Sequence, residues 1–254
     1  MTVHASAREG YANVGTVYEK GRPEYPPDAV AYLLQRLGVA RSGTDKTVID
    51  LAAGTGKFSR ALLAAGVTPT AVEPVEHMRA TLKANTPGIT ALDGTAESMP
   101  LADAASDAVV VAQAFHWFDG PRALQVIHRV LKPMGGLGLV WNGQDRTIDW
   151  VEAIWAEVDA RRDDTPSAWS YAWKDAFTPD AGFSPLLTTT FRHDHQTDRD
   201  GLVARVVSIS FVARGPQSER DVLEAHIHKV CDDAGLPERF ALPYNCFVHW
   251  CRRV

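Results

Sequence analysis

Short apolar runs alternate with segments of helical periodicity over the first half of the chain. Runs of this length, bounded by Gly, Pro or Asp, are typical of buried strands. They read "TVIDLAA", "TPTAVEP", "GITALDG", "DAVVVAQ" and "GGLGLVW". Between them, apolar residues three and four positions apart predict amphipathic helices, with faces formed by Val30, Leu33, Leu34, Leu37, Phe58, Ala61, Leu62, Ala65, Met78, Leu82, Leu124, Ile127 and Leu131. This alternation predicts an α/β fold with a mostly parallel sheet and right-handed crossovers.

The pattern changes near residue 144. The segment "WVEAIWAEVDA" predicts an amphipathic helix, and an irregular stretch that contains Trp169, Tyr171 and Trp173 follows it. Two late strands are predicted from "PLLTTTFRH" and "YNCFVHWC", and they flank helical patterns over 199–209 and 218–233. The sequence shows no internal repeat or low-complexity segment, and we expect a single domain with an insertion and a sheet edge.

Composition and charge narrow the classes of function. Hydrophobic residues make up 45% and charged residues 22% of the 254 residues, which is an ordinary globular balance. A net charge of -5 gives no electrostatic reason to expect nucleic-acid binding. The chain has no apolar run long enough to span a membrane and no apolar core of a signal peptide near its first residue. Three late cysteines are typical of reduced thiols, so we expect a cytoplasmic protein.

A glycine-rich turn follows the first predicted strand in "VIDLAAGTGKFSRALLAAG". Such a turn lets backbone approach a ligand closely, and the next helix offers free N–H groups. A P-loop is excluded because Phe58 follows Lys57 where Ser or Thr is needed. A dinucleotide motif is matched in part, because Gly54 and Gly56 are followed by Ser59. The turn alone therefore leaves the nucleotide-type ligand open.

The wider order of motifs is more specific. The segments "DLAAGTG", "GTAESMPLADAASDAVVVAQAFHWF" and "IHRVLKPMGGLGLVW", with Glu73 after the second strand, resemble class I S-adenosylmethionine (SAM)-dependent methyltransferases. The resemblance is to the broad group of ubiquinone/menaquinone-biosynthesis-like and trans-aconitate-like small-molecule enzymes, and it covers residues 11 to 142. It implies a Rossmann-like, seven-stranded, mostly parallel sheet with a reversed late strand and helices on both faces. It also implies one domain over 1–254, an N-terminal cap over 1–40 and a substrate-covering insertion over 144–180.

The resemblance further implies that SAM is the cofactor and S-adenosylhomocysteine the product. Glu73 is expected to accept the ribose hydroxyls, and Pro74 with Val75 to flank the adenine. The chain has Ala52 where the family motif has glycine, and Thr95 where many relatives carry Asp. The expected cofactor-binding residues are Tyr18, Arg22, Asp50, Ala52, Ala53, Gly54, Gly56, Glu73, Pro74, Val75, Thr95, Ala96, Gln113 and Ala114.

On the acceptor side, the expected activity is methyl transfer to an O, N or C nucleophile of a small molecule. His116 directly follows the fourth strand, at the sheet edge where α/β ligands bind. Its imidazole is a candidate general base, because the unperturbed pKa lies near 6.5. The alternative is that "FHWF" only packs. The expected substrate-binding residues are Tyr18, His116, Trp117, Trp141, Trp169 and Trp173.

Two other functions stay open at this point. An NAD-dependent reductase is disfavoured by the missing third glycine and by the lack of a Tyr-x-x-x-Lys pair after the fourth strand. A non-catalytic SAM-binding protein is the second alternative, since Ala52 and Thr95 depart from the motif. We expect no metal, because His193 and His195 have no Cys or further His at ligand spacing. The sequence does not indicate an oligomeric state.

Overall fold

The computed structural model describes residues 22–40 and 45–254. The chain divides into two compact units. The larger unit contains Glu24–Asn142, Pro166–Phe191 and Cys246–Val254. The smaller unit contains Gly143–Thr165 and Arg192–Asn245. The expectation of one domain with a cap over 1–40 and an insertion over 144–180 stays a prediction.

The larger unit holds the alternating strands and helices. Its elements are α1 (Pro27–Leu37), β1 (Val48–Leu51), α2 (Lys57–Ala64), β2 (Thr70–Val72), α3 (Glu76–Asn85), β3 (Ala91–Leu92), β4 (Ser106–Ala112) and α4 (Gly120–Val130). Three longer strands have residues in both units: β5 (Leu131–Gln144), β6 (Leu187–Asp198) and β7 (Arg239–Arg252). All the strands and helices predicted for the first half of the chain are therefore present.

The seven strands form one sheet in the order β3-β2-β1-β4-β5-β7-β6. The pairs β1/β2, β2/β3, β1/β4 and β4/β5 are parallel, and β6 and β7 run antiparallel at the other side of the sheet. The predicted Rossmann-like sheet with a reversed late strand is confirmed. In this order β1 and β4 are neighbours at the centre, and the carboxyl ends of adjacent strands in such a sheet form the usual ligand crevice.

Strand β4 is buried on both faces, as its apolar run predicts. Val109 and Val111 pack into the core that contains α4, whereas Ala108 and Val110 pack into the core that contains α1. This alternation follows from the two-residue period of a strand. Both cores therefore hold β4 in place, and with it the segment that follows its carboxyl end.

The smaller unit has its own apolar core. Its helices are α5 (Asp149–Asp159), α6 (Arg199–Val207), α7 (Ser210–Arg214) and α8 (Gln217–Asp233). Val151, Ile154, Leu202, Leu223 and Ile227 are fully buried in that core. The sequence pattern predicted α5, α6 and α8, but the short α7 was not predicted. Among the described residues, no helix has the length and hydropathy needed to cross a membrane.

The irregular stretch near residue 170 consists of three short 3-10 turns, Ala168–Ser170, Ala172–Ala176 and Pro179–Ala181. Within it, Trp173 is buried, whereas Trp169 and Tyr171 are exposed. The stretch therefore contributes one indole to the core of the larger unit.

Candidate functional site

The turn after β1 has an unusual backbone. Ala52, Gly54 and Gly56 adopt left-handed φ values of 56°, 57° and 86°. Non-glycine residues in this region are uncommon, and for Ala52 the strain costs on the order of 1–2 kcal/mol. The amides of Ala52 and Ala53 both donate to the carbonyl of Val72 on β2, at 2.8 and 3.3 Å. These bonds hold the turn against the end of β2.

Gly54 and Gly56 have different surroundings in this turn. A Cβ on Gly56 would lie 3.0 Å from Leu82 Cγ on α3, so the helix packs closely against this position. A Cβ on Gly54 would meet no atom of residues 22–40 and 45–254 within 4 Å. The backbone at Gly54 is thus open on the side where a ligand would approach.

Glu73 lies immediately after β2 and is 4% exposed. Its Oε2 accepts the amide of Gly54 and its Oε1 accepts the amide of Val75, both at 2.9 Å. Burial raises the pKa of this carboxyl, while the Val75 and Gly54 amides and the charges of Arg79 and His77 oppose the rise. Each carboxylate oxygen keeps acceptor capacity for a second donor. Glu73 can therefore shape the turn and hold a hydroxyl pair at the same time.

Asp50, on β1, is a second buried carboxyl beside the turn. It is 1% exposed, and its Oδ2 accepts the Ser59 hydroxyl at 2.5 Å. Burial raises its pKa to about 7; the Ser59 hydrogen bond opposes this and the charge of Glu73 adds to it. The other oxygen, Oδ1, is buried and has no hydrogen-bond partner among the described residues. A buried acceptor without a donor is costly, so this atom fits a ligand that brings a donor or a positive charge.

The residues predicted to surround the adenine follow the ends of β2 and β3. Pro74, Val75 and Thr95 are half-buried, and Ala96 is buried. Thr95 pairs with Ser98 through two backbone hydrogen bonds of 3.3 and 3.1 Å. Arg79 on α3 donates to the Glu73 carbonyl at 2.7 Å and to both carboxylate oxygens of Asp93. This pairing ties α3 to the loops that follow β2 and β3.

The predicted residues Gln113 and Ala114 follow β4. Gln113 has a left-handed φ of 61°, and its amide donates to the Val140 carbonyl on β5 at 2.8 Å. Its side-chain Nε2 donates to the carbonyl of Asn142 at 3.3 Å. The Asn142 side chain in turn donates to the Glu24 carbonyl, also at 3.3 Å. Asn142 was not predicted from the sequence, because its only signal is its position at the far end of the β5 run.

His116 lies in a 3-10 turn, Phe115–Trp117, just beyond β4. It is half-buried, and the Trp141 indole Nε1 donates a hydrogen bond to its Nδ1 at 3.3 Å. Trp117 lies 5.0 Å from the His116 ring between centroids. Phe115 anchors the turn, since it is 1% exposed and contacts Phe118 and Trp173 edge to face.

An aromatic cluster, defined here as His116, Trp141, Trp173 and His249, brings together three of the predicted acceptor residues. The Trp141 and Trp173 rings stack with centroids 4.5 Å apart. His249 on β7 packs edge to face against both rings, at 5.5 and 5.2 Å. Burial lowers the His249 pKa to about 4, and the charge of Lys174 lowers it further. Its Nδ1 lies 2.7 Å from the Thr188 hydroxyl.

The remaining predicted residues are Trp169, Arg22 and Tyr18. Trp169 is 39% exposed and contacts Phe247 edge to face. Arg22 is half-buried at the first described position, five residues before α1. Tyr18 lies outside the described residues. His249 was missed by the sequence analysis because nothing near it in the sequence links it to the other members of the cluster.

The structure also bears on a metal site. His193 and His195 both pack against Tyr244, with ring centroids 5.6 and 6.3 Å from it. Within 22–40 and 45–254, no group of three or more His, Cys, Asp or Glu side chains is placed to hold a metal ion.

Comparisons with known proteins give one consistent family. Residues 49–139 match a family model described as a methyltransferase domain. An uncharacterized methyltransferase of Mycobacterium tuberculosis is 46% identical over 137 residues, which are 54% of each chain, so the match spans about half the length of that relative. An uncharacterized methyltransferase-like protein of Schizosaccharomyces pombe is 33% identical over 214 residues, 84% of this chain and 82% of the relative.

A third relative has a named activity. The malonyl-[acyl-carrier protein] O-methyltransferase of Methylococcus capsulatus is 36% identical over 118 residues, 44% of this chain and 42% of its own. Among solved structures, a protein of Anaeromyxobacter dehalogenans that is provisionally described as a type II methyltransferase has a TM-score of 0.67. It is 21% identical, and the alignment covers 91% of this chain and 96% of that one, so it shows the same fold.

Proposed function

This chain belongs to the family of class I SAM-dependent methyltransferases, and from that membership we propose that it transfers a methyl group from SAM to a small molecule. The acceptor atom is an oxygen, nitrogen or carbon. When bound, SAM supplies a sulfonium-activated methyl group: the acceptor lone pair forms the new bond while the carbon–sulfur pair returns to sulfur, which leaves S-adenosylhomocysteine. The proposal rests on the position of the Glu73 carboxylate, which the amides of Gly54 and Val75 hold beside the turn after β1.

The turn after β1 fits the cofactor. Glu73 holds two backbone amides and keeps acceptor capacity for the two ribose hydroxyls. The open side of Gly54 leaves room for close approach of the ribose and methionine part. Asp50 Oδ1, which has no hydrogen-bond partner within the described part of the chain, suits the positive charge that SAM carries. The chain's contribution at this end is therefore to bind and orient, since a well-aligned methyl group needs little further catalysis.

The acceptor is proposed to bind beyond β4 and β5, beside His116, Trp117, Trp141 and Trp173. Aromatic rings of this kind give a ligand pocket apolar walls, and a few polar groups set its orientation. A relative named as a malonyl O-methyltransferase supports oxygen among the possible acceptor atoms. Trp169 is less suited to the role than the sequence suggested, because it is exposed and packs on Phe247.

A cytoplasmic location is proposed from the cysteines. Cys231, Cys246 and Cys251 are all buried and unpaired with one another. Burial raises the pKa of both Cys246 and Cys251 to about 12, which keeps these thiols protonated and unreactive. Buried free thiols are typical of a reducing compartment.

Calorimetry tests the cofactor assignment and separates the alternatives. The purified chain is titrated with SAM, S-adenosylhomocysteine and NADH, in buffer with a chelator. We expect both sulfur ligands to bind and NADH not to bind. Binding of NADH alone would favour the reductase. Binding of SAM without methyl transfer to any acceptor would favour the non-catalytic SAM-binding protein.

A further inference from the structure

The hydrogen bond between Trp141 and His116 fixes where the imidazole proton lies. An indole Nε1–H is a donor only, so His116 Nδ1 must accept with its lone pair. A neutral imidazole carries one proton, which is then on Nε2. In this tautomer the remaining nitrogen is a donor and cannot take a proton from an acceptor.

We propose that Trp141 is a positioning residue that holds His116 in the Nε2–H tautomer, so that His116 presents a hydrogen-bond donor at the end of β4 and not a general base. The donor role toward an acceptor rests on the proposed function. The tautomer itself depends on neither SAM nor acceptor, so it can be tested separately. A donor at this position orients an acceptor oxygen, and the acceptor must then arrive with its nucleophilic lone pair available.

The surroundings of Trp141 make loss of its hydrogen bond to His116 unfavourable. The indole is 2% exposed, stacked on Trp173 and packed against His249. If His116 took a proton on Nδ1, the Trp141 N–H would be left buried without an acceptor, which is unfavourable. Among the described residues, Lys174 in the 3-10 turn Ala172–Ala176 faces the cluster, with its Nζ 5.6 Å from the centroid of the Trp173 ring. Burial and the charge of Lys174 lower the His249 pKa to about 4, and both effects disfavour a positive charge on this cluster.

Trp173 provides a matched control for Trp141. Both indoles belong to the same stack, but the Trp173 Nε1 donates to the Ala168 carbonyl at 3.0 Å and not to His116. Trp141→Phe and Trp173→Phe each remove one indole from the stack. Only Trp141→Phe removes the donor to His116.

The test is nuclear magnetic resonance of the full chain labelled with ¹⁵N. Long-range ¹H–¹⁵N spectra show which ring nitrogen of each of the nine histidines carries the proton, and His116→Gln identifies the His116 signal by its loss. In wild type at neutral pH we expect the proton on Nε2. Trp141→Phe should shift the signal toward a mixture of both tautomers, and Trp173→Phe should leave it unchanged.

If the His116 proton of the wild-type protein lies on Nδ1, the proposal is wrong. The wild-type spectrum gives this result even if Trp141→Phe does not fold. An unchanged His116 signal in a folded Trp141→Phe variant would also overturn the proposal.

Turnover gives a second, independent readout. Glutamine can donate an N–H from a similar reach but has no basic nitrogen. With labelled SAM and an acceptor-containing cell extract, we expect His116→Gln to stay within roughly tenfold of wild type and His116→Ala to lose more. A general base predicts that both variants lose about 10²–10⁴-fold. Equal losses of that size would overturn the donor assignment.

Discussion

The Glu73 carboxylate accepts the amides of Gly54 and Val75, and we propose that it also accepts the ribose hydroxyls of the cofactor. Glu73→Ala should weaken SAM binding by about 1.5–3 kcal/mol, the range for hydrogen bonds to a charged group. Glu76→Ala is the matched control, because Glu76 is exposed at the start of α3. Calorimetry measures both dissociation constants. An unchanged constant in folded Glu73→Ala would show that Glu73 is not the ribose anchor.

Asp50 gives the protein a pH-dependent stability. In the unfolded chain an Asp ionises near pH 4, whereas burial raises the folded-state pKa of Asp50 to about 7. Between pH 4 and pH 7, ionisation of Asp50 lowers the free energy of the unfolded state, whereas Asp50 stays mostly protonated in the folded state. The contribution of Asp50 is therefore complete below about pH 4, falls as pH rises toward 7, and stays low above it.

Asp50→Asn removes this titration. Urea denaturation measures the free energy of unfolding of both proteins at pH 5 and at pH 8. From pH 5 to pH 8, this free energy should fall by on the order of 1–3 kcal/mol more in wild type than in Asp50→Asn. Groups that titrate between pH 5 and pH 8 in both proteins cancel in the comparison. Parallel changes in wild type and Asp50→Asn would contradict the raised pKa of Asp50.

Among elements, the 3-10 turn that carries His116 depends on a single buried ring. Phe115 is 1% exposed and contacts Phe118, Trp173 and Phe177. Phe115→Ala should lower the free energy of unfolding by about 3–5 kcal/mol. Trp169→Ala, which removes a larger but exposed ring, should cost less than about 1 kcal/mol. Urea denaturation of both variants compares the two costs. A smaller loss for Phe115→Ala than for Trp169→Ala would contradict the anchoring role.

The elements differ in how far the sequence determined them. Strand β4 and helix α1 were predicted because strong periodicity and turn residues are local signals. Helix α7 has five residues, too few to show a period. The late strands β6 and β7 extend beyond their predicted runs, because pairing with neighbouring strands, which the sequence does not display, sets where they end.

For the whole molecule, the arrangement of the turn after β1 follows more directly from the sequence than the arrangement around His116. The turn after β1 and Glu73 belong to a compact motif, and its geometry follows from glycine, a strand end and a carboxylate. The Trp141–His116 hydrogen bond joins two residues that are 25 positions apart, one near the end of β5 and the other in the turn after β4. His249 comes from the last strand, β7. Such contacts depend on strand order, so the sequence named Trp141 and His116 separately and missed both their bond and His249.

We propose that this chain moves a methyl group from SAM to a small molecule. The most direct measurement uses SAM labelled with tritium on its methyl group, the purified chain and a small-molecule extract of its source cells. We predict that label enters a small molecule and that S-adenosylhomocysteine forms in equal amount, and that Glu73→Ala reduces both at limiting SAM. Protein that binds SAM but transfers no label, with acceptors from the extract in excess, would contradict the claim.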